Sequence, residues 1–209
     1  MIRSVMFDFG GVITSSPFDA FGRYERQAGL PDGFIRSLNA TDPDTNAWAQ
    51  LERGDVSFDR FCELYEAEAR ARGHRIDARQ VTAGLGGEVR PEMAEAVRFC
   101  AARFKTACLT NNFATFDLPE RPQVTEVFAL FDVVLESRKL GIRKPDPRFY
   151  AMACETLAVE PAEVVYLDDL GINLKPARQM GMHTIKVVDP LDALTELYSV
   201  VGASEPPVP

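Results

Sequence analysis

The sequence predicts an α/β protein: a doubly wound parallel sheet with a helical segment inserted after its first strand. Three observations carry this reading. The apolar run "SVMFDFGG" opens the chain, a helical stretch follows over 15–87, and from Lys105 onward short apolar runs alternate with amphipathic helices. Such alternation sets strands side by side in parallel, with helices covering both faces of a Rossmann-like sheet. The 209 residues suffice for one sizeable core and a smaller module.

The first strand, over 5–9, is apolar except for Asp8, and Gly10-Gly11 end it with a tight turn. From Thr14 the periodicity is helical. Leu51 belongs to a short helix ending at Gly54, and Phe58, Phe61, Leu64 and Tyr65 fall on one helical face behind Ser57 as N-cap. "GLGGEVRP" (84–91) reads as a hinge-like linker, with Pro91 opening a helix over 92–104. Strands are then expected at "KTACLT" (105–110), "FDVVLES" (131–137), "EVVYLDD" (163–169) and "MHTIKVV" (182–188), with helices near 147–158, 170–180 and 190–200. This divides the chain into a core (1–14 and 88–202), a helical cap (15–87) and a tail (203–209).

Composition narrows the partners. A formal charge of −8 argues against nucleic acid and anionic membrane surfaces, which would repel the chain at long range. No apolar stretch approaches the ~20 residues needed to span a bilayer. Cys62, Cys100, Cys108 and Cys154 lack metal-ligand spacing, and Met1 leads into the first strand without a leader pattern, so reduced thiols in a cytoplasm are expected. A single sequence sets no oligomeric state.

In a doubly wound sheet, ligands bind beyond the carboxyl ends of the strands. Asp8, then Thr110, Asn111 and Asn112, then the loop "RKPDP", then Asp168 and Asp169 all end on that rim. An unpaired buried carboxylate costs several kcal/mol, so Asp8 calls for a cation or a reaction, unless it merely caps a turn. Asp168 and Asp169 repel each other unless something positive lies between them. With Asp8 they make an all-oxygen site suited to Mg²⁺, although Asp169 could instead cap the next helix. Lysine is rare, five against eighteen arginines, which draws attention to Lys144 beside Pro145. Its compact ammonium suits both a carboxylate and a phosphate oxygen; the bland alternative is a solvated loop lysine. Thr110 and Asn111 offer a hydroxyl and an amide. Phe18, Phe21, Tyr24 and Trp48 are candidates for an apolar pocket, with helix packing the commoner use of such residues.

The order "DFGGV", "LTNN", "GIRKPDPRFY" and "VVYLDDLGINLKPARQMGM" resembles the haloacid dehalogenase superfamily, whose motifs comprise an Asp nucleophile, a Thr or Ser, a Lys and an acidic pair. From Leu109 to about Val201 the chain is similar to the N-terminal phosphatase domain of soluble epoxide hydrolases. "DFGGVITSSP" also resembles the amino-terminal domain fused to some acyl-CoA dehydrogenase relatives. The resemblance implies that Asp8 attacks phosphorus to give an aspartyl phosphate. It implies further that Gly10, Gly11, Thr110, Asn111 and Lys144 surround the phosphoryl group. Asp8, the Gly10 carbonyl and Asp169 would bind Mg²⁺, with Asp168 reaching it through water and Asn173 steadying the acidic pair.

One position departs from the family pattern. Phosphatases of this type usually carry a second Asp two residues after the nucleophile, as acid and base, and here that residue is Gly10. Loss of a general acid costs about 10²–10⁴ in rate, unless Asp19 or a substrate group supplies the proton. Gly10 could also be required by a backbone angle that other residues resist. Three readings follow: a Mg²⁺-dependent phosphatase of a small phosphorylated substrate; a halide-releasing hydrolase, for which the acidic pair has no purpose; and a non-catalytic domain binding a phospholigand or protein.

Overall fold

The computed structural model describes residues 1–112 and 121–203; the expected tail, apart from Ala203, lies outside the described residues. Its centre is a five-stranded, all-parallel sheet in the order β3-β2-β1-β4-β5. The strands are β1 (Ser4–Phe7), β2 (Lys105–Thr110), β3 (Val133–Glu136), β4 (Val164–Asp168) and β5 (His183–Lys186). Because β1 is flanked by β2 and β4, the chain ends carrying Asp8, Thr110 and Asp168 are neighbours on one rim.

Side-chain alternation along each strand divides the sheet into two apolar faces. Val5 and Phe7, Cys108, Val165 and Leu167 face one way, and pack on Met93, Val97 and Cys100 of α6 (Pro91–Ala101) and on Leu194 and Leu197 of α11 (Pro190–Val200). Met6, Ala107, Leu109 and Tyr166 face the other way. They pack on Phe149, Tyr150 and Ala153 of α9 (Pro147–Leu157) and on Leu174 and Ala177 of α10 (Gly171–Gln179). The expected helix over 92–104 therefore ends earlier, at Ala101. Two helices, α7 (Pro122–Phe128) and the short α8 (Ser137–Leu140), have no counterpart among the elements expected from the sequence.

Between β1 and α6 lie α1 (Pro17–Ala28), α2 (Phe34–Ala40), α3 (Ala47–Arg53), α4 (Phe58–Ala71) and α5 (Ala78–Ala83). They share an apolar cluster of their own, built on Phe21, Ile35, Leu38, Trp48, Phe61 and Tyr65. Ser57 caps α4 as expected, accepting from Arg60 N–H at 3.2 Å. Buried Glu25 joins α1 to α2 by accepting from Gly33 and Ile35 N–H at 2.8 and 2.7 Å. Phe21 and Trp48 meet edge to face at 5.6 Å, and the Tyr24 hydroxyl accepts from Asp77 N–H, so packing is the use the fold makes of these aromatics. Arg36 lies over the Phe18 ring.

The two connections to the helical segment run antiparallel to each other. Thr14 bridges to Val89, with Ser15 N–H to the Glu88 carbonyl at 2.8 Å and Arg90 N–H to the Ile13 carbonyl at 2.9 Å. The segment also docks through α3. Glu52 takes Arg143 at 2.5 Å on one carboxylate oxygen and Trp48 Nε1–H at 2.9 Å on the other, while its carbonyl accepts from the Ser137 hydroxyl at 2.6 Å.

Immediately after β1, Phe9–Ile13 forms one wide turn, closed by Thr14 N–H on the Phe9 carbonyl at 3.0 Å. Its two glycines differ. Gly10 has an ordinary extended conformation (φ −71°, ψ 128°), and a Cβ there would meet nothing within 4 Å. Gly11 has φ +79°, and a Cβ there would collide with the Asp169 carboxylate, at 2.7 Å from Cγ. The expectation that Gly10 needs a special backbone angle is thus corrected: Gly11 holds that role. Gly11→Ala is expected to lose about 1–3 kcal/mol of stability through left-handed strain and the clash. Gly10→Ala should stay within about 1 kcal/mol of the native protein. Denaturant unfolding of the two variants measures the contrast; equal losses would contradict this account of the turn.

Candidate active site

Strand register brings the acids together. Phe7 pairs with Leu167, and Asp8 N–H donates to the Leu167 carbonyl at 2.8 Å, so Asp8 lies alongside Asp168 just past the paired residues. Thr110 ends β2, buried, on the other side of Asp8. Asp8, Asp168 and Asp169 each present a carboxylate oxygen within 4.8 Å of the others.

Lys144 is the centre of this cluster. It is 1% exposed, which overturns the solvated-loop alternative, and its ammonium lies 2.8 Å from Asp8 Oδ1 and 2.9 Å from Asp168 Oδ2. Asn111 holds the lysine in place: its Nδ2 donates to the Lys144 carbonyl at 3.0 Å, and its Oδ1 accepts from Lys144 N–H at 2.9 Å. One N–H and one lone pair of the Asn111 amide are thus spent on the backbone it clamps, and its second N–H has no hydrogen-bond partner among the described residues.

Asp168 is fully enclosed. Besides Lys144 it accepts from the Tyr166 hydroxyl, from Leu170 N–H at 2.8 Å, and from Asn173 Nδ2 at 3.0 and 3.1 Å to its two oxygens. Tyr150 extends the network by donating to the Asn173 carbonyl at 2.7 Å. Asp169, by contrast, is only partly buried and lies over Gly11. The closeness of its carboxylate to Gly11 is possible only because that residue lacks a Cβ.

Charge balance follows from these positions. Burial pushes Asp8 well above the usual carboxylate range; Lys144 opposes the shift, while Asp168 and Asp169 add to it. Burial raises Asp169 to about 6, and the Asp168 charge adds to it. Burial works against the Lys144 ammonium too, but Asp168 and Asp8 outweigh it and hold the proton more firmly. Both directions stand together because burial penalises every carboxylate, while the one buried ammonium contacts two of the three. The remaining two negative charges match a divalent cation, and an all-oxygen donor set suits a hard one such as Mg²⁺.

Some contributing residues are not among those the sequence singles out. Tyr166 lies two residues before Asp168 on the same strand face, so the period-two rule was its available signal. Arg90 donates to the Gly11 and Val12 carbonyls at 2.9 and 3.3 Å and braces the turn after Asp8; it lies 79 residues from Gly11, and no local pattern reports it. Glu52 and Arg143 likewise meet across 91 residues, beside Lys144.

With this geometry in view, relationships to known proteins become informative. Residues 2–181 match the haloacid dehalogenase-like hydrolase family. The chain is 33% identical over 216 residues to acyl-CoA dehydrogenase family member 10 of Mus musculus, covering 96% of this chain and 19% of that protein. It is 32% identical over 224 residues to bifunctional epoxide hydrolase 2 of Mus musculus, covering 100% of this chain and 40% of that protein. It therefore spans less than half the length of either relative. A Mycobacterium tuberculosis protein named as a phosphatase is 29% identical over 197 residues, covering 89% of this chain and 87% of that protein. Among solved structures, a HAD-like family hydrolase from Porphyromonas gingivalis superposes with a TM-score of 0.69 at 25% identity, over 94% of this chain and 98% of that one. The parallel sheet, the acids on its rim and these matches agree: the chain belongs to the haloacid dehalogenase-like hydrolases.

Proposed function

We propose that the chain is a Mg²⁺-dependent hydrolase of small phosphate monoesters, working through an aspartyl phosphate on Asp8. The carrying observation is the Asp8 carboxylate held at 2.8 Å from a buried ammonium, with Asp168 and Asp169 beside it. The M. tuberculosis relative named as a phosphatase supports the same reading.

Asp8, the Gly10 carbonyl and Asp169 would hold Mg²⁺, with Asp168 behind them. The bound cation supplies positive charge that keeps Asp8 ionised and offsets phosphoryl oxygens. Lys144 orients Asp8 and neutralises a second phosphoryl oxygen, while Thr110, Gly11 and the Asn111 backbone surround the group. Asp168 acts through others, because its own oxygens are saturated by Lys144, Tyr166, Leu170 and Asn173. Asp8 forms its bond to phosphorus as the ester oxygen departs, and attack of water on phosphorus restores the carboxylate. The chain's net charge of −8 fits a small substrate better than nucleic acid or an anionic membrane, and no described helix is long and apolar enough to cross a bilayer. The halide-releasing alternative leaves Asp169 without a purpose. The expected cytoplasmic setting suits the four buried, unpaired cysteines.

The carboxylate repulsion gives a first test. An acid whose folded pKa is raised destabilises the fold once ionised, so Asp169 withholds stability progressively as pH rises from 3.8 to about 6. In EDTA, Asp169→Asn is therefore expected to be more stable than the native protein above pH 6, by about 1–3 kcal/mol, with the gain vanishing near pH 4. Mg²⁺ should stabilise the native protein and have little effect on the variant. Thermal melts at both pH values, with and without Mg²⁺, decide it; an unchanged gain across pH would contradict the assignment.

Asp8→Asn removes the nucleophile while nearly preserving shape. It should abolish hydrolysis of phosphate esters and leave the fold intact, since Lys144 keeps Asp168 as partner. A screen of esters with Mg²⁺ or EDTA, alongside a halide-release assay, checks this. Full hydrolysis by the variant would exclude the covalent intermediate, and halide release in EDTA would replace the phosphatase reading.

Tyr166→Phe deletes one donor to Asp168 without opening a cavity. The expected result is about a tenfold loss of kcat with KM little changed, because Lys144 loses its alignment while the phosphate site keeps its donors. A rise in KM alone would argue against this positioning role.

A further inference from the structure

A departing ester oxygen must be protonated or must be stable as an anion. Around Asp8 the described titratable groups are already engaged, and the neutral Thr110 hydroxyl is no general acid. Lys144 is locked between Asp8 and Asp168, and the Tyr166 hydroxyl is directed to Asp168. Asn111 is clamped on the Lys144 backbone, and Asn173 serves Asp168. Asp169 belongs with the cation. Asp19, the acid nearest along the helical segment, lines a cavity of about 560 Å³ with Ser15, Arg23, Glu88 and Arg121, and neither Asp8, Lys144 nor Asp169 borders that space.

Position 10, where the family pattern places an acid, carries no side chain. The backbone there is unstrained and an added Cβ meets nothing within 4 Å, so neither conformation nor packing demands glycine. The open volume lies two residues from the nucleophile.

Building on the phosphoryl-transfer reading above, we propose that this site takes phosphoryl donors whose leaving oxygen needs no proton: acyl phosphates, phosphoanhydrides and aryl phosphates. We propose with it that breakdown of the aspartyl phosphate, not its formation, limits turnover. In the first step an Asp8 oxygen bonds to phosphorus as the bond from phosphorus to the leaving oxygen breaks. The electron pair leaves on that oxygen as a carboxylate, phosphate or phenolate, and no proton moves. In the second step a water oxygen bonds to phosphorus, the bond to Asp8 breaks, and its electron pair returns to the carboxylate. The proton released by water passes to solvent, because position 10 offers no base. The same gap therefore spares the first step and slows the second.

Rapid-quench kinetics on the full chain with Mg²⁺ test both halves, using p-nitrophenyl phosphate, acetyl phosphate and glycerol phosphate. A burst of p-nitrophenolate near one equivalent per chain is expected, with a hydroxylamine-labile phosphoryl group on Asp8. The aryl and acyl donors should share one turnover number, and glycerol phosphate should fall about 10²–10⁴-fold below them in kcat/KM. Gly10→Asp should abolish the burst and raise glycerol phosphate turnover more than tenfold, by the same estimate. Absence of a burst, or equal kcat/KM for glycerol and aryl phosphates, would overturn the proposal; the native protein alone supplies both measurements if the variant misfolds. Failure of the underlying reading looks different: no phosphoryl label on Asp8 from any donor, in either the native protein or Gly10→Asp.

Discussion

The structure turns on one ammonium held between two carboxylates. Lys144 is buried against Asp8 and Asp168, and each of the three groups would be costly to bury alone. Removing the shared ammonium would leave both buried carboxylates uncompensated, at a cost of about 3–5 kcal/mol, whereas losing one carboxylate leaves Lys144 with the other. The surroundings accordingly fix each member: Asn111 grips the lysine backbone, while Tyr166, Leu170 and Asn173 satisfy the remaining valences of Asp168. Asp8 is left with its Lys144 contact and its neighbour's N–H, which leaves a carboxylate oxygen for chemistry.

The scaffold explains why this charge cluster can persist. Parallel pairing of β1 with β2 and β4 sets Asp8 level with Asp168 and brings Thr110 to the same rim one residue further along, so the site is a consequence of register. Gly11 lets Asp169 close over the turn, and Arg90 braces that turn from the start of α6. Glu52 and Arg143 bring the helical segment down beside Lys144. The net negative charge of the cluster is the feature on which the proposed Mg²⁺ site rests.

Strand alternation makes Asp8, Asp168 and Asp169 legible in the sequence, because carboxylates at the ends of apolar strands have few uses. Lys144 is recognisable by scarcity and by its proline neighbour. Its burial is not, since loop residues acquire their environment from elements distant in sequence. Asn111 illustrates the same limit: no local pattern reports that its amide clamps the backbone of Lys144. The turn after β1 shows it at finer grain. Two adjacent glycines are identical as letters, yet one has ordinary angles and open space while the other has positive φ and a carboxylate overhead.

By itself, then, the sequence determined the α/β class, the inserted helices, the family and the acids of the rim, because periodicity, turn residues and motif order are local properties of the chain. The tertiary structure alone decided which charges touch. It placed Lys144 between Asp8 and Asp168, enlisted Tyr166, Arg90 and Glu52 from afar, and distinguished a glycine the turn requires from one it merely tolerates. Electrostatic energy depends on separations of a few ångströms and on burial, and both arise only when strands and loops far apart in the chain are brought to the same rim.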